Sequence, residues 1–223
     1  MGTTATSTQA ISVDVDDVTL PGDLTLPAEP LGVVAFAHGS GSSRHSPRNR
    51  AVAETLHEAG LGTALIDLLD PEEERVDQVT AEPRFDIPML ARRVAAVVDW
   101  LDRRPETREV PVGLFGASTG AAAALVAAAE RADRVAAVVS RGGRPDLAGP
   151  ALTAVRAPVL LVVGGGDPRV LRLNEEAAER LTAPWSLRVV PGAGHLFAEP
   201  GALEAVAHAA RDWFLGMRRE DDR

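Results

Sequence analysis

The sequence predicts an α/β fold, a mostly parallel sheet of about eight strands covered by helices on both faces. Three observations carry that expectation. Short, dense apolar runs recur along the chain, as strands buried on both faces require. Between them lie helical runs with one apolar face, and this alternation over the whole length is the pattern of a parallel sheet. The 223 residues are 45% hydrophobic, enough for one domain with a sizeable core.

Taken in order, residues 1–10 are small and polar, and they are expected to be a flexible N-terminus without a secretory signal. Ile11 to Val18 alternates apolar and polar residues, and Thr19 to Leu26 continues as strand around Pro21-Gly22, giving an edge pair. Leu31 to Ala37 is a denser strand running into the small-residue loop His38 to Arg44. Ser46 and Pro47 then cap and start a helix that ends at Gly60. Thr63 to Leu68 resumes as strand.

Asp70 to Phe85 has no clear periodicity, carries Glu72, Glu73 and Glu74 in a run, and is expected to be a long surface loop, either a lid or a solvated connection. Asp86 caps the next helix, whose stripe is Leu90, Val94, Val97, Val98 and Leu101. Val110 to Phe115 is a strand and an alanine-rich helix begins at Thr119. Val135 to Val139, Ala157 to Val163 and Ser186 to Val190 are further strands. The last helix places Leu203, Val206, Ala210, Trp213, Phe214 and Met217 on one face, so Trp213 is expected in the core. The single domain is expected over residues 11–217, with a charged tail over 218–223.

Composition excludes several chemistries. There is no Cys, hence no disulfide or thiolate nucleophile, and a cytoplasmic location is the expectation. No Lys occurs either, so all 23 basic residues are Arg; a Walker-type phosphate loop, a pyridoxal Schiff base and a Ser-Lys dyad are ruled out. The five histidines show no paired metal spacing, and no metal or cofactor is expected. A net charge of −9 argues against nucleic acid or an anionic membrane as partner. Oligomeric state is not readable. The Ala and Arg bias is that of bacterial chains.

The chemistry converges on Gly113 to Gly120, whose core Gly116-Ala-Ser118-Thr-Gly120 joins a strand to a helix. Such a turn holds its central serine in a strained conformation with glycines leaving room on either side, and aims the helix N-terminus at the hydroxyl. A serine hydroxyl needs an imidazole base, and that base needs a carboxylate to fix its tautomer. Loops at the carboxyl ends of later strands offer Asp167 and His195, in the order Ser, Asp, His. The N–H groups of Thr119 and Ser40 are the candidate oxyanion donors. His57 and His208 sit in helical runs and read as solvated, while His45 could contact substrate. Asp133 and Asp146 read as caps.

His-Gly-Ser-Gly at 38 to 41, Gly-Ala-Ser-Thr-Gly at 116 to 120, Gly-Gly-Asp at 165 to 167 and Gly-His at 194 to 195 resemble the α/β-hydrolases of the dienelactone hydrolase type, over Ile11 to Met217. Ser140-Arg-Gly-Gly-Arg-Pro-Asp-Leu-Ala-Gly149 looks like a bacterial subgroup sometimes fused to a phosphoribosyltransferase domain. Classical members use a cysteine where this chain has Ser118. The resemblance implies a serine hydrolase of small esters, thioesters or lactones, working without a cofactor. Arg44, Arg141 and Phe197 are possible substrate contacts. With only Arg141 to Ala157 available for a cap, the site is expected to be open and suited to short acyl groups. Two other readings are a Rossmann oxidoreductase, disfavoured because Ala122 replaces the next glycine, and a catalytically inactive hydrolase-fold binding protein.

Overall fold

The computed structural model describes residues 6–217. Eight strands form one sheet in the order β1-β2-β4-β3-β5-β6-β7-β8, with β1 (Thr6–Val15), β2 (Val18–Pro27), β3 (Val33–Ala37), β4 (Gly62–Ile66), β5 (Val112–Ala117), β6 (Val135–Arg141), β7 (Val159–Gly164) and β8 (Trp185–Val190). β1 pairs antiparallel with β2, and β2 with β4; every other neighbour is parallel. The apolar runs end up where that topology puts them, since β3, β4, β5 and β7 are buried along their whole length.

Helices cover both faces. α1 (Pro47–Glu58) and α6 (Ala202–Leu215) share a core with Phe36, Phe115 and Val139 on one side. On the other, α3 (Ile87–Asp102), α4 (Thr119–Glu130) and the end of α5 (Pro168–Ala178) pack against Val33, Leu114 and Leu161. The Ser46 and Asp86 caps form as expected, accepting hydrogen bonds from the N–H of Asn49 and Met89. Trp213 is only partly buried, packed against the α1/α6 core at its margin.

Two expectations are corrected. β1 begins at Thr6, so Thr6 to Ala10 is strand and not part of a flexible N-terminus; residues 1–5 and the 218–223 tail lie outside the described residues. These five residues are all exposed, and their pairing to residues 23–27 leaves no apolar alternation to read. The second correction is larger. Asp70 to Phe85 is not a loop but α2 (Pro71–Thr80) followed by a 3-10 turn at Pro83–Phe85. Asp70 and Glu73 form a capping box, each side chain accepting from the other's backbone N–H. Asp77 is the one buried residue of α2, so an apolar stripe could not have announced the helix.

Candidate active site

All the reactive loops leave the carboxyl ends of parallel strands, so they gather at one end of the sheet. β5 delivers Ser118 at φ 51° and ψ −121°, a strained conformation for a residue with a Cβ. The turn is held by close backbone approach. A Cβ on Gly116 would stand 2.4 Å from Ala121 Cα, and one on Gly120 2.2 Å from the Ala37 carbonyl. The end of β6 braces the same turn: Ser118 N–H donates to the Arg141 carbonyl (3.3 Å), and Arg144 N–H donates to the Ser118 carbonyl (3.0 Å).

Asp167 caps α5, its Oδ1 accepting from Val170 N–H at 3.2 Å, and this fixes the carboxylate so that Oδ2 can accept from His195 Nδ1–H at 3.0 Å. That bond sets the tautomer and leaves His195 Nε2 as an acceptor. Glu199 clamps the His195 loop by accepting the Gly194 N–H at 3.0 Å. Ser118, His195 and Asp167 line one cleft of about 280 Å³. No hydrogen bond joins the serine hydroxyl to His195 among the described residues.

Ser40 and Thr119 line that cleft too, with their hydroxyls 3.3 Å apart. The loop carrying Ser40 passes directly over the serine, for a Cβ on Gly39 would lie 3.0 Å from Ser118 Cβ. His38 anchors the loop from below: Leu68 N–H donates to its Nε2 (2.9 Å) and its Nδ1–H donates to the Gly39 carbonyl (3.0 Å). Burial pushes its pKa down, against the pull of that carbonyl and of Asp67, Glu74 and Asp77. Among the described residues no cluster of His, Cys, Asp or Glu could hold a metal ion.

The profile of the Dienelactone hydrolase family matches residues 34–218. The chain belongs to the dienelactone hydrolase family. It is 56% identical to "Crystal structure of Dienelactone hydrolase from Anabaena variabilis", with a TM-score of 0.93 over 96% of this chain and 99% of that one. Est1E from Butyrivibrio proteoclasticus, solved with ferulic acid, is 19% identical with a TM-score of 0.78 over 93% and 99% of the two chains, a likeness of fold. A curated relative from Mycobacterium tuberculosis (strain H37Rv), named "Putative phosphoribosyl transferase Rv0571c", is 56% identical over 93% of this chain. This chain spans only 46% of that relative's length.

Within this family member the possible substrate contacts separate. Arg44 is bound to Asp67 through both its backbone N–H (2.6 Å) and its guanidinium, with Asp23 at 3.8 Å, so it ties its loop to β4 and is not free for a ligand. Phe197 is corrected as well: it is 2% exposed in the α1/α6 core and packs the His195 loop rather than lining the cleft. Arg141 is buried without a partner for Nε and Nη1. His45 is exposed, with Arg50 donating to its Nδ1 at 2.9 Å, and His57 proves half-buried, bridging α1 to Thr63 Oγ1 at 2.8 Å, not solvated.

The sequence reading missed Phe85, Arg144 and Arg169 at the cleft. Arg144 is paired with Asp146 at 2.7 Å, and the Arg-Gly-Gly-Arg-Pro-Asp run was the available signal. Nothing local marked Phe85 or Arg169. A second cavity of about 200 Å³ adjoins the cleft through Ser40 and Thr119, roofed by Glu74, Asp77 and Gln78 of α2. The sequence carries no sign of this second cavity, because α2 itself reads there as a loop.

Proposed function

We propose that the chain is a serine hydrolase of small carboxylic esters, thioesters or lactones, with Ser118 as nucleophile, His195 as general base and Asp167 as its orienting carboxylate. The observation that carries this is the positive-φ serine on the elbow facing, in one cleft, a histidine already fixed by a carboxylate at 3.0 Å.

Ser118 Oγ attacks the acyl carbon while His195 Nε2 takes its proton. The carbonyl oxygen becomes an oxyanion facing the N–H groups of Thr119 and Ser40, the first of which sits at a helix N-terminus with no intrahelical carbonyl to reach. Collapse breaks the bond to the leaving oxygen or sulfur, which departs with the proton from His195. Water then attacks the acyl-serine and gives a proton to His195; the acyl–Oγ bond breaks, His195 returns that proton to Ser118 Oγ, and the acid leaves. No redox partner enters these steps.

A cleft of about 280 Å³ and a side cavity of about 200 Å³ suit short acyl and leaving groups. The relatives' name is attached to proteins more than twice as long as the region they share with this chain, and the residues present here fit acyl transfer to water. Ser118→Ala is expected to lower turnover by about four to six decades and to abolish labelling by a fluorophosphonate, with the melting temperature unchanged. Wild-type turnover in that variant would dismiss the assignment.

A further inference from the structure

Among the described residues Arg141 and Arg48 have no counter-charge, although each holds guanidinium nitrogen away from solvent. Arg141 ends β6 on the same face as Ala137 and Val139, under the α1/α6 layer, and is 8% exposed. Its Nε and Nη1 meet no acceptor, and neither does the buried Nε of Arg48, the second residue of α1. Burial pushes the Arg141 pKa down to about 10, and repulsion from Arg48 adds to this. The contrast is Arg93, 4% exposed: its Nε also lacks an acceptor, but its Nη1 and Nη2 donate to both Glu73 oxygens at 2.6 Å and to the Leu68 carbonyl. A buried guanidinium retains its proton, so without an anion its desolvation is uncompensated.

The first turn of α1 adds to the positive field. Asn49 N–H is taken by the Ser46 hydroxyl and Arg50 N–H by the Ser46 carbonyl, and the positive end of the helix dipole lies in this turn, which carries Arg48. Two guanidiniums and a helix N-terminus are neutralised better by a dianion than by a single carboxylate, and guanidinium forks match phosphate oxygens. The backbone of Arg141 is next to the chemistry: its carbonyl accepts from Ser118 N–H, and a Cβ on the following Gly142 would be 3.7 Å from His195 Cε1. Arg48 is partly exposed, so the pair is not sealed from solvent on every side.

We infer that Arg141 and Arg48 form a phosphate site beside Ser118, taking the phosphate group of a substrate that is also an ester or lactone, or free inorganic phosphate. Only the first of these two sources rests on the hydrolase reading. Inorganic phosphate titrated into the Ser118→Ala protein should raise its melting temperature saturably, and sodium chloride at equal ionic strength should not. Adding Arg48→Gln should weaken the apparent affinity about tenfold or more. Arg141→Met should remove the response while melting, without phosphate, no lower than its parent, because an unpaired buried charge is gone.

In wild type, competitive inhibition of a neutral nitrophenyl ester by phosphate assigns the site to the substrate's phosphate. Phosphate binding that leaves KM unchanged assigns it to the free ion. The site is overturned if no saturable shift occurs, or if Arg48→Gln and Arg141→Met respond to phosphate as their parent does. A phosphate shift, with wild type that never reacts with fluorophosphonate, would sink the hydrolase reading alone; wild-type labelling without the shift would sink this one alone.

Discussion

The turn at Ser118 and the segment over Asp70 to Phe85 flank the same cleft and are built from opposite materials. At the elbow, α4 is buried from Thr119 to Leu125 and held by glycines that let backbone touch backbone. Over the cavity, α2 buries only Asp77 and exposes Val76 and Val79. It is held instead by the Glu73 to Arg93 pair and by Arg84, which donates to both Asp77 oxygens at 2.9 and 3.0 Å. A part that must place one atom is fixed by shape, which salt does not touch. A part that roofs a cavity is fixed by charge, which salt screens.

The sharpest way to break the shape-built half is Gly120→Val. Its Cβ would fall 2.2 Å from the Ala37 carbonyl and 2.5 Å from the His38 carbonyl, neither of which can retreat without moving β3. The expected outcome is loss of soluble folded protein. A folded Gly120→Val protein with a normal circular dichroism melt would show that the close approach is dispensable.

Next in size is Asp167→Asn, an effect on chemistry that leaves both halves standing. The amide no longer fixes His195 Nδ1–H, and turnover should fall by roughly four decades with the fold intact. Asp167 also caps α5 through Val170 N–H, a role asparagine keeps. A loss below about tenfold would move the orienting role to another acid.

Breaking the charge-built half should give a smaller and more local effect. Glu73→Gln leaves Arg93 with the Leu68 carbonyl but without its anion, while the glutamine carbonyl can still accept the Asp70 N–H of the α2 capping box. A destabilisation of about 1 to 3 kcal/mol is expected, since Glu73 is partly exposed and its pairing partly screened. Limited proteolysis should then cut between residues 70 and 85 first, and KM should rise more than kcat falls. Cleavage elsewhere would mean that α2 does not depend on this pair.

The same contrast explains what could be read from the sequence. Val112 to Phe115, the glycines and Ser118 are local signals, and so are the Ser46 and Asp86 caps, because each is a short-range requirement of backbone geometry. Asp167 and His195 were found by strand-end logic, and the structure joins them. The helix over Pro71–Thr80 escaped because its anchors, Arg93 and Arg84, are read only once the fold brings them close; Asp70-Pro71-Glu72-Glu73 was the one local sign of it. Arg44 and Phe197 misled for the same reason. Their positions were right, but what each side chain meets depends on Asp67 and the α1/α6 core.

Acid should loosen the His38 anchor of the Ser40 loop before the α2 roof, the smallest effect of the set. His38 is neutral when folded, with burial lowering its pKa, so its contribution is complete above the unfolded value near 6.5 and fades as pH falls below it. Asp77 titrates the other way of pairing: burial acts to raise its pKa, but the Arg84 hydrogen bonds more than offset that and hold it below 3.8. Its contribution is therefore complete above about pH 4 and is lost only as pH falls through the lower folded value. Two amides report these events separately, because Leu68 N–H donates to His38 Nε2 and Arg84 N–H donates to Asp77 Oδ1 at 2.8 Å. Hydrogen exchange corrected for intrinsic rate should show Leu68 losing protection as pH falls below 6.5, with Arg84 still protected. If Arg84 opens first, the roof over the cavity, and not the loop above Ser118, is the acid-sensitive element.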